Sequence, residues 1–154
     1  SQAIALIQRE DFTAARRELD IAFRLHSQDV EAVVSCYPLL AKAGKTDFAN
    51  ELLSQFEASL KAQLEKWPND AMTLNNLAWM YAKSDVKLDQ ALQLSNKAVE
   101  LVPSSAVYRD TLAEVQFHSG DIEGAINTMR ECVRIDPREL GYRKNLARFS
   151  AARK

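Results

Sequence analysis

The sequence predicts an all-α fold: a right-handed α-solenoid of helix-turn-helix repeats that ends in a C-terminal capping helix. Only four glycines and four prolines occur in 154 residues, too few for the frequent turns of an all-β protein. Pro68, Pro103 and Pro137 follow one another at two nearly equal intervals of about 34 residues, which is a repeat period. Apolar residues from Ile122 to Val133 recur at spacings of three and four, which indicates an amphipathic helix.

The composition is that of a globular chain, with 47% hydrophobic and 27% charged residues and a formal net charge of −1. A nucleic-acid-binding protein normally has a clear basic excess, so no nucleic-acid partner is expected. No apolar run approaches the roughly 18 residues of a transmembrane helix, so no membrane insertion is expected either. Residues 1–10 do not have the basic-then-apolar pattern of a leader, and the sequence leaves the compartment unknown.

The spacing of apolar residues predicts nine helices, which can be assigned in chain order. They cover residues 2–9, 12–25, 29–43, 46–66, 70–82, 88–101, 105–118, 121–135 and 138–152. Helices one to eight pair into four hairpins, and the last helix caps the array. The whole chain, residues 1–154, is predicted to be a single domain of such repeats.

The first two repeats are the least regular. Residues 1–29 form a repeat with Ala15 and Leu19 at packing positions of its second helix, but its first helix is truncated. This truncation suggests that the chain is a fragment of a longer protein. Residues 30–70 form the second repeat, and Pro38 lies inside its first helix. Because proline removes an amide donor and crowds the preceding turn, a kink is expected there.

The second repeat also has an unusually long second helix. Ala49 and Ala91 occupy equivalent positions but lie farther apart than the repeat period, so the repeat contains an insertion. One extra residue fits in the turn over 83–88, and seven extra residues add two turns to the helix that starts near Asp47. The apolar stripe of this helix comprises Leu53, Phe56, Leu60, Leu64 and Trp67. The favoured interpretation is that the first helix of the third repeat covers this stripe. The alternative is a projecting ridge that docks a partner or a second copy.

Residues 71–105 and 106–139 are the most regular repeats. The pair Leu77-Ala78 recurs one repeat period later as Leu112-Ala113, and again after a further period as Leu146-Ala147. This pattern resembles the tetratricopeptide repeat (TPR), in which W-x2-L-G-x2-Y is followed by A-x3-F and P over about 34 residues. In the third repeat those places are taken by Leu74, Leu77, Ala78, Tyr81, Ala91, Ala98 and Pro103. The chain is similar to bacterial-type members of this family, and the resemblance implies that stacked first helices line a concave groove.

Residues 140–154 are predicted to form the capping helix. The segment Arg138–Lys154 carries six basic residues against one acidic residue, a local charge of +5. Leu140, Leu146 and Phe149 are expected to pack on the fourth repeat, and the basic face is expected to point to solvent. A binding face for an acidic partner is the less favoured alternative.

No catalytic residue, metal site or cofactor site is predicted, so the chain is not expected to be an enzyme. His26 and His118 have no Asp, Cys or second His at the spacing of a metal site or a catalytic triad. Cys36 and Cys132 are expected to be unlinked and buried, because each occupies a packing position in its repeat. Asp121 is predicted to cap a helix N-terminus.

The predicted function is a protein–protein interaction module or scaffold that holds a peptide or helix of a partner of unknown identity in this groove. The groove residues are predicted to be Asn75, Asn76, Trp79, Lys83, Asp110, Glu114, Phe117, Lys144, Asn145 and Arg148. Trp79 is predicted to be an exposed binding anchor. The alternative for this ring is burial beneath the helix that contains Pro38.

The assignment of two of these residues to the groove depends on the resemblance to TPR proteins. In related repeats that bind extended peptides, an asparagine before the leucine-glycine pair holds the ligand backbone. Asn76 and Asn145 stand in that place, whereas Thr111 departs from it. The basic clamp that holds the carboxylate of chaperone tails is not reproduced, because Asp110 and Glu114 occupy the fourth repeat's inner face. Two alternative functions remain: a structural segment that forms homo-oligomers within a larger protein, and an accessory domain of an enzyme.

Overall fold

In the computed structural model, the described residues, 2–153, form nine α-helices and no strand. The helices are α1 (Gln2–Gln8), α2 (Phe12–Leu25), α3 (Glu31–Lys42), α4 (Thr46–Lys66), α5 (Ala71–Lys83), α6 (Leu88–Leu101), α7 (Ala106–His118), α8 (Ile122–Ile135) and α9 (Leu140–Ala151). The all-α prediction is confirmed, and the predicted helix ends lie within two residues of these bounds. Ser1, in the predicted first repeat, and Lys154, in the predicted basic segment, lie outside the described residues.

Several predicted starts are early because they include the capping residue. The carboxylate of Asp121 accepts a hydrogen bond from the amide of Gly124 at 2.9 Å, so its predicted role as an N-cap is confirmed. Asp70 caps α5 and Ser105 caps α7 in the same way. A cap residue lies outside the helix that it stabilises, which explains the one-residue offset at these three starts.

The same backbone turn closes all four hairpins of the described chain. At the matching position each turn has a residue with positive φ: Glu10 (61°), Gly44 (72°), Asp85 (54°) and Gly120 (86°). The amide of the following residue donates to the carbonyl five residues earlier, at 2.9 to 3.0 Å. This is the Schellman arrangement that ends many helices. The extra residue predicted in the α5–α6 turn is accommodated by a second residue with positive φ, Lys87 (48°).

The chain divides between Pro68 and Asn69 into two compact units. The predicted single-domain organisation stays a prediction. The N-terminal unit contains α1 to α4. Its second helices pack through Phe23 and Phe56, whose rings meet edge to face with centroids 5.0 Å apart. Pro38 lies inside α3, which continues to Lys42, and the predicted kink stays a prediction.

Helix α4 contains 21 residues, whereas α2, α6 and α8 contain 14 each. The predicted lengthening by two turns is therefore confirmed. Along its apolar stripe Leu60 is fully buried and Leu64 is half-buried, but the side chain of Trp67 is 63% exposed. The apolar stripe of α4 is therefore part of the core up to Leu60, whereas Trp67 lies outside the core. The prediction that the third repeat covers it stays a prediction.

The C-terminal unit contains α5 to α9. Its small residues Ala78, Ala91 and Ala125 are completely buried, as expected where helices approach closely. Phe149 is also fully buried, and Leu146 packs partly against the same cluster. The prediction that Leu140 packs on the fourth repeat is wrong, because this first residue of α9 is 63% exposed. Tyr142, two residues later, occupies the buried position instead.

Both cysteines are free and buried, as predicted. Burial raises the pKa of the Cys36 thiol to about 11 and that of the Cys132 thiol to about 12. The Cys132 thiol donates a hydrogen bond to the carbonyl of Ala106 at 3.4 Å. Both side chains therefore act as small core residues and not as reactive thiols.

Candidate functional site

The first helices of the C-terminal unit carry side chains at matching positions, which we group into three rows. In each hairpin we count back from the positive-φ residue of its turn. Residues ten positions before it form the first row, residues six before it the second row, and residues two before it the third row. Helix α9 lacks this turn and is aligned by the repeat period. The first row is Asn75, Asp110 and Lys144; the second is Trp79, Glu114 and Arg148; the third is Lys83 and His118. Of the ten predicted groove residues, only Asn76, Phe117 and Asn145 lie outside these rows.

The second row is joined by an ion pair between α7 and α9 in which only the carboxylate is buried. The guanidinium of Arg148 donates to Oε1 of Glu114, whose side chain is only 2% exposed. Arg148 itself is 41% exposed and lies over the Phe117 and Phe149 rings, 5.0 and 4.6 Å from their centroids. These two rings are stacked with centroids 4.6 Å apart. The structure therefore brings three predicted groove residues together around Phe149, which the sequence assigned to the core.

A hydrogen bond from a residue beside the first row joins the same two helices. The side-chain amide of Asn145 donates to Oδ1 of Asp110 at 3.1 Å. Burial raises the pKa of Asp110, and the nearby carboxylate of Glu114 raises it further. The hydrogen bond from Asn145 and the charges of Arg148 and Lys83 oppose this rise. Asp110 therefore lies within the field of three other predicted groove residues.

Trp79 is half-buried and not fully exposed, and its role as a binding anchor stays a prediction. The ammonium group of Lys83, one helical turn further along α5, lies 5.1 Å from the centroid of its ring. This arrangement is a cation–π contact, and it shields one face of the indole. The alternative interpretation, burial beneath the helix that contains Pro38, stays a prediction.

The other predicted groove residues differ in exposure. Asn75 is buried, Asn76 is half-buried and Lys144 is exposed. Their role in binding stays a prediction.

His118 is a member of this surface that the sequence did not assign to it. Its Nδ1 lies 3.5 Å from the carboxylate of Asp85, and its Nε2 lies 3.7 Å from Oε2 of Glu114. One signal was available, because His118 follows Glu114 by four residues and so shares its helix face. Asp85 belongs to the hairpin turn, and sequence spacing alone does not place it beside His118.

Three buried polar atoms of the described residues have no hydrogen-bond partner, and all belong to the C-terminal unit. They are Oδ1 of Asn75, Oγ of Ser84 and Oε2 of Glu114. Buried polar atoms are nearly always satisfied, so each such atom calls for an explanation. Two of the three belong to the rows defined above.

The N-terminal unit carries an open cleft of about 410 Å³. Asp29 and Glu31 are among its lining residues, and one oxygen of each carboxylate accepts a local hydrogen bond. Asp29 accepts from the amide of Glu31, and Glu31 accepts from the hydroxyl of Ser35. Across residues 2–153, no group of three or more His, Cys, Asp or Glu side chains is placed to hold a metal ion. Within the same range, no helix combines the length and apolar character needed to cross a membrane.

No protein-family model matches the sequence, and no curated protein matches it significantly. Solved structures of MamA do match. MamA of Desulfovibrio magneticus RS-1 is 21% identical with a TM-score of 0.55, over 97% of this chain and 80% of that chain. A double mutant of RS-1 MamA gives 20% identity and the same TM-score, over 99% and 81%. A MamA structure designated MSR-1 gives 20% identity and a TM-score of 0.52, over 98% and 82%.

The chain shares an all-helical repeat fold with MamA. The predicted fold class, an α-solenoid of helical hairpins, is thereby confirmed. At about 20% identity the likeness extends to the fold alone, since one fold supports many functions. Any function has to be argued from the rows of the C-terminal unit.

Proposed function

We propose that this chain is a non-catalytic protein-interaction module built from diverged tetratricopeptide repeats. The rows of the C-terminal unit would bind a peptide or a helix of a partner protein. The observation that carries the proposal is the connected surface formed by side chains of α7 and α9, in which Asp110 meets Asn145 and Glu114 meets Arg148. Glu114 and Arg148 come from separate helices at matching repeat positions, and Asn145 is the neighbour of the residue that matches Asp110. Contacts between stacked first helices are expected at the binding face of a repeat array.

The chemistry of this surface suits a polypeptide ligand. Trp79 and Phe117 are half-buried aromatic side chains, which combine a large contact area with few rotatable bonds. Asn75 and Asn145 carry amides, which can donate to and accept from a peptide backbone at once. The charges are mixed in sign, which favours one partner over another more than it adds affinity.

Selection of random displayed peptides on the immobilised chain would test this function. The affinity of selected peptides would then be compared between the parent chain and two tryptophan variants. Trp79→Ala should weaken binding by about tenfold or more, because it removes the central aromatic contact of the rows. Trp67→Ala is the matched control, since Trp67 lies at the end of α4 outside the rows.

The two variants also provide the contradicting result. If selected peptides lose affinity with Trp67→Ala and keep it with Trp79→Ala, the rows are not the binding face. If no selected peptide depends on Trp79, the proposed function fails for this surface.

Self-association is a second candidate, and a specific observation favours it. Large apolar side chains are exposed at the starts of three helices of the C-terminal unit: Met72 (58%), Val107 (59%) and Leu140 (63%). Leu101 and Val102 are also exposed, at the end of the antiparallel helix α6. Exposed apolar residues that cluster at one edge are typical of a contact surface.

Sedimentation equilibrium over a range of concentrations would test self-association. The mean mass should rise with concentration in the parent chain, and Val107→Glu should return it to the monomer value, because burying a charge in the contact is costly. Gln93→Glu makes the same charge change at an exposed position of α6 and should have no effect. A constant monomer mass in the parent chain would exclude this candidate.

A further inference from the structure

The unsatisfied atoms in the rows are oxygens that can accept hydrogen bonds. Oδ1 of Asn75 lies in the first row on α5, and Oε2 of Glu114 lies in the second row on α7. Both side chains are more than nine-tenths buried. Nε2 of His118 lies 3.7 Å from Oε2 of Glu114, which is too long for a hydrogen bond. A ligand that satisfies both oxygens must therefore bring N–H or O–H donors.

The charge of the site further limits the chemical class of ligand that it can bind. Glu114 and Asp110 place two carboxylates one helical turn apart on α7, and burial together with Glu114 raises the pKa of Asp110. Arg148 occupies only Oε1 of Glu114. An acidic ligand side chain would add a third carboxylate beside these two and would leave both acceptors unsatisfied. A cationic side chain would instead relieve the repulsion and supply donors.

The second row also offers an aromatic face to a cation. Trp79 and Glu114 are neighbours in this row, on adjacent helices that pack against each other. The ring of Trp79 already accepts the ammonium group of Lys83, and Phe117 accepts the guanidinium of Arg148. The aromatic side chains of this surface thus face cations supplied by the chain itself. Lys83 is a flexible side chain that an incoming cation can displace.

We propose that the second row is a subsite for a cationic side chain, preferably arginine, of the bound polypeptide. The inference rests on the proposed function, because it names the ligand class of the same surface. A guanidinium is preferred to an ammonium because it stacks on an indole and carries several donors in one plane. Its donors would serve Oε2 of Glu114, the unsatisfied acceptor of the second row.

Titration of the folded chain with single-residue probes, followed by NMR, would test the subsite. The probe is acetyl-arginine methylamide, and its matched neutral counterpart is acetyl-citrulline methylamide, which has the same shape and no charge. The indole N–H signal of Trp79 reports on the second row, and that of Trp67 serves as the internal reference. The arginine probe should shift the Trp79 signal saturably and leave Trp67 unchanged. Citrulline and an acetyl-glutamate methylamide probe should bind at least tenfold more weakly.

A pair of matched variants assigns the effect to the carboxylate. Glu114→Gln should weaken the arginine probe about tenfold, because it removes the buried charge. Glu131→Gln makes the same change on α8, where Glu131 pairs with Arg134, and should leave binding unchanged. Should Glu114→Gln fail to fold, Asp110→Asn removes the neighbouring charge isosterically and should weaken the probe severalfold.

Three outcomes would overturn the subsite. They are equal binding of citrulline and arginine, a stronger response to glutamate, and an arginine response that survives in the variants. The proposed function is judged separately, from the displayed peptides. Selected peptides that depend on Trp79 but carry no basic residue would refute the cationic subsite and leave the interaction module intact.

Discussion

The two units use one backbone design and differ in the side chains that it presents. The hairpins of both units close with the same positive-φ turn and the same backbone hydrogen bond. At the positions that form the rows in the C-terminal unit, α3 holds Val34, Pro38 and Lys42, and α1 holds Ile4 in the second row. The position of Trp79 and Glu114 is thus occupied by isoleucine and proline in the N-terminal unit.

The repeat thus fixes the position of a side chain but not its chemistry. The turn and the packing of small residues fix where side chains at a given repeat position project. The chemistry of these side chains differs between the two units. In the N-terminal unit, for example, the hydroxyl of Tyr37 on α3 donates to Oδ1 of Asn50 on α4 at 3.0 Å. In the C-terminal unit the corresponding rows hold buried carboxylate and amide oxygens. A shared backbone therefore does not imply a shared binding function.

The largest expected effect is on the core of the C-terminal unit. Phe149→Ala should lower the free energy of unfolding by about 3 to 5 kcal/mol, because it removes a fully buried ring and its stack on Phe117. Urea denaturation followed by circular dichroism measures this change. Phe149→Leu keeps much of the volume and should cost clearly less. Equal losses for both variants would mean that the stack, and not the filled volume, stabilises this unit.

The corresponding test of the N-terminal unit concerns the long helix α4. Leu60→Ala should cost about 2 to 4 kcal/mol, since the side chain is fully buried. Leu64 is only half-buried, so Leu64→Ala should cost less in the same denaturation experiment. A change in oligomeric state without a change in stability would instead support the alternative of a docking ridge.

The shared turn predicts equal effects in both units. Gly44→Ala and Gly120→Ala should each cost about 1 kcal/mol, because both residues have positive φ and an alanine there is strained. An added Cβ meets no atom within 4 Å at either glycine, so backbone strain is the only expected cost. Thermal unfolding of the two variants would check this equality. A much larger loss at one glycine would mean that the two turns are not energetically equivalent.

The smallest expected effect depends on pH and is specific to the C-terminal unit. Burial raises the pKa of Asp110, so its ionised form is disfavoured in the folded chain. Protonation of Asp110 contributes stability that is fully present below the unfolded-state pKa of about 3.9. This contribution is lost as the pH rises through the raised pKa of Asp110 in the folded chain. Asp110→Asn should therefore raise the melting temperature at neutral pH, and the gain should shrink in acid.

Melting curves of Asp110→Asn and the parent chain across this pH range provide the measurement. A lower melting temperature at neutral pH would mean that attraction to Arg148 and Lys83 outweighs burial.

Sequence reasoning recovered the helices because local signals and the repeat agree. The second helices carry apolar residues at regular spacings, and cap residues such as Asp121 mark their starts. The hairpin turn was only partly visible, since Gly44 and Gly120 signal positive φ but Glu10 and Asp85 do not. Leu140 was misassigned because an apolar residue at a helix start satisfies the same pattern whether it faces the core or solvent.

The sequence predicted which residues of the candidate site share a face, but not their burial or all of their contacts. Repeat spacing placed Asp110, Glu114 and Arg148 on one face, and the structure brings Glu114 and Arg148 into contact. Spacing does not show how deeply a side chain is buried, however, so the burial of Glu114 was missed. For Trp79 the sequence left exposure and burial open as alternatives. The contact of His118 with Asp85 was also missed, because it joins a helix to a turn of another hairpin.

The seven extra residues of α4 have a consequence for helical phase. Seven residues at about 100° each rotate a helix to within about 20° of two complete revolutions. Residues beyond the insertion therefore keep almost the same azimuth as those before it, which is why Leu60 continues the buried face begun by Leu53 and Phe56. An insertion of five residues would have turned that face by about 140° and exposed it. Seven is thus the shortest insertion that returns a helix to within about 20° of its starting azimuth, since an insertion of four leaves an offset of about 40°.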